Sequence, residues 1–119
     1  MATKAEILQR VGEDLGIVPV GQSLESQDDA RIDVAYSEAY ARVKESGLAS
    51  WAFSGEVPDT IVPYFCLLIE EKLLISYSVP ESRALRIKTS AGDDGDLAML
   101  KLSELVIQEY TSTDDVQDF

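Results

Sequence analysis

Ile61-Val62-Pro63-Tyr64-Phe65-Cys66-Leu67-Leu68-Ile69, halted by Glu70-Glu71-Lys72 and resumed by Leu73-Leu74, is the stretch that decides how this chain folds. Its apolar residues follow neither an alternating pattern nor a single stripe. They occupy nearly the whole circumference of a helix read over residues 59–77. A helix with no wet face has to lie at the centre of a bundle. Pro58 falls where a first helical turn tolerates proline, and Pro63 lies in or near that turn. The run is far short of the roughly 18 apolar residues that a membrane span needs. Cys66 sits inside it, where a thiol packs as a small apolar group and keeps a high pKa.

Helix starts and stops frame this segment on both sides. Thr3-Lys4-Ala5-Glu6, Ser26-Gln27-Asp28-Asp29 and Ser78-Val79-Pro80-Glu81 each place a hydroxyl three residues before an acid. In that spacing the hydroxyl can accept the N3 amide, and the acid complements the helix dipole. Ile7, Leu8, Val11 and Leu15 then share one stripe that ends at Gly16. Ile32, Ala35, Tyr36, Ala39, Tyr40 and Val43 share another, ended by Gly47. Helices over 3–15 and 27–46 follow. Residues 17–21 and 48–57 are connectors, and Trp51 in the second is read as a plug for the bundle with Phe53 beside it.

After Pro80 a fourth helix is expected to about Ser90, and a fifth over roughly 95–110. At 100° per residue, Ala98, Met99, Leu102, Leu105, Val106 and Tyr110 cover one arc of the fifth helix. Leu97, Leu100 and Ile107 form a second apolar ridge, set apart by Lys101, Glu104 and Gln108. One face suffices for the chain's own core, which leaves the other for a partner. Residues 111–119 are acidic, with Val116 and Phe119 as their only large apolar groups. Such a segment gains too little from burial to order alone. The sequence thus predicts an all-α fold: a bundle of four to five helices over 1–110, with an extended acidic tail over 111–119.

Twenty-two acids against ten bases give a net charge of −12. Eight of the acids lie in residues 93–119, where Lys101 is the one base. Such a surface repels nucleic-acid phosphates and disfavours a conventional nucleic-acid grip. One cysteine rules out an intrachain disulfide and suits a reducing compartment. Lys4, Glu6 and Arg10 interrupt the first apolar residues, so no secretory leader is read there.

The chain has no histidine, so the commonest general base and the commonest metal ligand are both missing. Asp93-Asp94-Gly95-Asp96 fails as a calcium loop: starting at Asp93, Gly95 and Leu97 fall where oxygen ligands are required. No catalytic group, cofactor or metal site is expected. Glu70 and Glu71 point about 100° apart on a helix and read as a solvated edge. Arg83 and Arg86 lie three residues apart on one face of the fourth helix, with Lys88 off to the side. A DNA patch is disfavoured in so acidic a chain, and a subunit contact to a neighbour's acidic surface fits the same residues.

Taken in order, several elements resemble the head–tail connector (adaptor) proteins of tailed bacteriophages. They are the capped Thr3–Leu15 helix, the acidic second helix ending Glu45-Ser46-Gly47, and Leu48-Ala49-Ser50-Trp51-Ala52-Phe53. Val57-Pro58, Val62-Pro63, the apolar helix through Leu73-Leu74, and Tyr77-Ser78-Val79-Pro80 complete the set. The resemblance implies a non-enzymatic virion protein of the neck, present in the host cytoplasm during assembly. It implies a homo-oligomeric ring of about twelve copies, attached to the portal protein and to a downstream tail or neck protein. Genome DNA would pass through the lumen without sequence-specific binding, and no membrane is involved. On this reading Arg83, Arg86, Lys88, Leu100, Ile107, Val116 and Phe119 are subunit or portal contacts. The other reading the charge allows is an acidic DNA mimic that occupies a DNA-binding host enzyme.

Overall fold

The computed structural model describes the backbone of residues 1–117 and the side chains of residues 1–106. Among the described residues five helices follow one another: α1 (Lys4–Asp14), α2 (Ser26–Glu45), α3 (Val62–Leu73), α4 (Glu81–Ala91) and α5 (Asp96–Gln117). A 3-10 turn, Asp93–Gly95, joins the last two. The fold is all-α, as the apolar periodicity requires.

α3 lies at the centre and packs against all four other helices. Val62, Phe65, Cys66, Leu68, Ile69 and Leu73 are buried on it. The helix is shorter than 59–77. Its cap is Ile61, Pro63 stands in the first turn, and Pro58 precedes the helix, its carbonyl accepting from the Ile61 and Val62 amides. Proline in that first turn costs nothing, because its amide would have had no partner there.

The three expected caps divide. Thr3 forms a complete capping box: its hydroxyl accepts from the Glu6 amide at 3.2 Å, and Glu6 Oε1 accepts from the Thr3 amide at 3.3 Å. Ser26 and Ser78 do not cap. α2 begins one residue early, with extended Glu25 at its cap, and α4 begins after Pro80. A cap residue must be extended, and the backbone takes that shape at Glu25 (ψ 153°) and Pro80 (ψ 140°) instead.

α1 and α2 end alike. Ile17 N–H donates to Gly12 C=O at 2.9 Å and Gly16 N–H to Glu13 C=O at 3.1 Å; Leu48 to Val43 and Gly47 to Lys44 repeat the pattern at 3.0 Å each. This is the Schellman arrangement, and it needs a left-handed residue, supplied by Gly16 (φ 76°) and Gly47 (φ 74°).

The 48–57 connector closes the bundle from one side. Trp51 is buried, edge-on to Phe65 at 5.5 Å and to Tyr40 at 6.1 Å. The Tyr40 hydroxyl donates to the Trp51 carbonyl at 2.8 Å, and the Tyr36 hydroxyl to that of Phe53 at 3.0 Å. Val57 pairs with Ala2 through two backbone hydrogen bonds of 2.7 and 3.0 Å, which ties the connector to the start of α1. Trp51 therefore plugs the core, while Phe53 forms its half-open rim beneath the Lys4 ammonium, 4.5 Å from the ring centre.

Candidate functional site

α4 and α5 carry the surfaces that the chain does not use for its own core. On α4 only Ile87 and Ala91 are fully buried. Arg83 and Arg86 project to one side of Ile87, and Lys88, one residue beyond it, projects to the other. Arg83 is half-buried; Arg86 and Lys88 are exposed. A Cβ placed on Gly16 would strike the Arg83 guanidinium, so that group lies against the C-terminal end of α1. A cation there complements the negative end of the helix dipole.

Arg83 and Arg86 line a cleft of about 330 Å³ with Asp14, Leu67, Glu70, Ile87 and Ser90. Its floor corrects the reading of Glu70-Glu71 as a solvated edge. Glu71 is half-buried, and Glu70 is 3% exposed, with Oε2 buried and lacking a hydrogen-bond partner. α3 contacts four helices and keeps one edge, with Tyr64, Leu67 and Glu71, partly open, so the acid 100° away at position 70 turns into the packing. Burial, followed by the neighbouring Asp14 carboxylate, pushes the Glu70 carboxyl up to about 9, and Arg10 opposes the shift. At neutral pH Glu70 is therefore a neutral acid. The sequence did contain a signal for this: position 70 is i+4 from Cys66 and i+8 from Val62, both on the buried stripe. Its charge hid the spacing.

The cleft holds two acids, Asp14 and Glu70, and two guanidiniums, with the Ser90 hydroxyl also on its lining. Cys66, one turn before Glu70, is fully buried, and burial drives its thiol far above the usual range. The Cys66 thiol is therefore not activated as a nucleophile. Among the described residues no cluster of three metal-ligating side chains occurs. The Asp93-Asp94-Gly95-Asp96 segment is held by Arg42, whose guanidinium donates to the Asp94 carbonyl and, at 3.2 Å, to the Asp96 carboxylate.

On α5 the two arcs separate as the spacing predicts. Ala98 and Leu102 are buried, Met99 and Val106 are half-buried against the core, and Leu105 is half-buried; Tyr110 lies outside the residues whose side chains are described. Leu97 and Leu100 face outward at 48% and 53% exposure. Leu85, opposite Ile87 on α4, is 64% exposed. Ile107, Val116 and Phe119 lie outside the residues whose side chains are described, and with them the contacts expected of the 111–119 tail. The helix bounds of α5 pass residue 110 and reach Gln117. Among the described residues no helix is long and apolar enough to cross a membrane.

Comparison with family models found no match, and comparisons with curated proteins and with solved structures found none either.

Proposed function

We propose that this protein is a structural assembly component, a head–tail connector of a tailed bacteriophage. Copies form a ring beneath the portal and enclose part of the DNA passage between capsid and tail. The observation that carries the reading is the doubly apolar α5: its inner arc fills the core, while Leu97 and Leu100 stand uncovered on its outer side. A helix that is apolar on two faces has a second packing partner. The ordered resemblance of residues 1–110 to connectors names the kind of partner.

The charge supports the same role. With a net charge of −12, DNA phosphates meet like charge along most of the surface and can slide without capture. Arg86 and Lys88, exposed on either side of α4, would contact acidic surfaces of the portal or of a neighbouring copy. Negative-stain imaging of the purified protein tests the reading. Annular particles with a central hole support it. Compact particles that displace DNA from a host DNA-binding enzyme would replace it with the acidic-mimic reading.

A further inference from the structure

A second concavity lies away from the α4 cleft. It is a groove of about 570 Å³ between the N-terminal half of α2 and the C-terminal end of α3. Ala30, Val34, Ala35 and Leu73 give it an apolar lining, and Arg31 and Lys72 flank them, with Glu38 3.8 Å from the Lys72 ammonium. Val34 is 61% exposed, and Ile75, just past the end of α3, is 95% exposed. An apolar strip flanked by two cations stands out in a chain of net charge −12.

The outer ridge of α5 has the opposite character. Leu97, Leu100 and Glu104 fall within about 60° of one another around the helix. Exposed Asp93 and Asp96 lie at its start, Asp96 paired with Arg42 at 3.2 Å, and Lys101 sits 3.4 Å from Glu104. The ridge is therefore convex, apolar along its crest and net acidic at its sides. The groove is concave, apolar along its floor and net basic at its edges.

We propose that the α5 ridge of one copy seats in the α2–α3 groove of the next. The contact rests on the ring-forming reading and specifies which surfaces close the ring. Leu97 and Leu100 would enter the groove over Val34 and Leu73, bringing Arg31 and Lys72 to the acids at the ridge. Ridge and groove share no residue, which leaves each copy free to offer a ridge to one neighbour and a groove to the other, the heterologous contact that a ring requires. Repetition of such a contact yields a ring when its rotation closes.

The same logic supplies the test. Val34→Glu places an acid in the groove, and Leu97→Asn with Leu100→Asn removes the crest of the ridge. Both changes are at exposed positions, and a wild-type thermal melt verifies folding. Arg31→Glu serves as a second groove variant. By light scattering, wild-type protein assembles, while each variant alone loses every species above the monomer. An equimolar mixture of a groove variant with the ridge variant gives a dimer and nothing larger, because one sound ridge and one sound groove remain. Variants that still assemble like the wild type reject this contact and leave the ring reading standing. A mixture that stays monomeric rejects it too, and a wild type that never self-associates rejects both readings.

Discussion

Replacing Glu70 with glutamine should stabilise the fold by an amount that grows with pH. In the unfolded chain Glu70 ionises near its ordinary value of 4.5, whereas in the fold it holds its proton to about 9. Between those values the unfolded state binds fewer protons than the folded one, so stability falls as pH rises. The favourable contribution is fully present below about pH 4.5. It is lost by a little over 1 kcal/mol per pH unit until the folded group ionises as well. Glutamine keeps the shape and has nothing to titrate. Urea titrations of both proteins at pH 5, 6.5 and 8 isolate the effect, since every other ionisable group is common to the pair. Between pH 5 and 8 the variant should gain about 2–4 kcal/mol relative to the wild type. Parallel pH profiles would refute the buried-acid account, and so would a wild type that gains on the variant as pH rises.

Other outcomes are read from stability and labelling. Phe65→Ala removes a fully buried ring that packs edge-on to Tyr36 and Trp51, and should cost about 3–5 kcal/mol in chemical denaturation; a loss below about half a kcal/mol would mean α3 is not the centre. Thr3→Ala breaks the capping box of α1 and should cost about 1 kcal/mol, whereas Ser78→Ala, at a hydroxyl that caps nothing, should leave the midpoint unchanged. Cys66 should resist a thiol reagent until the protein unfolds, so prompt labelling under native conditions would place it outside the core.

The sequence carries the fold most clearly where many residues agree. The apolar circumference of 61–69 puts α3 in the middle, and the stripes ended by Gly16 and Gly47 bound α1 and α2 to within two residues. Caps were less legible, because Ser26 and Ser78 match a side-chain spacing while the true boundary is set by which residue is extended. In α4 that residue is Pro80, whose ring fixes φ. The outer ridge Leu97–Leu100 followed from counting 100° per residue. Glu70 did not, since a carboxylate at a stripe position reads as surface until the helices on every side are known. The α2–α3 groove was equally hidden: Val34 looks like an ordinary apolar residue of its helix until the packing around it is known and leaves it uncovered.

Native mass spectrometry of the wild-type protein over a range of concentrations tests the central claim most directly. The account predicts one dominant closed species of fixed copy number, about 160 kDa for about twelve protomers of 13.1 kDa, whose mass does not grow as concentration rises. A protein that stays at 13.1 kDa at every concentration, or one that stops at a two-fold dimer, would contradict it.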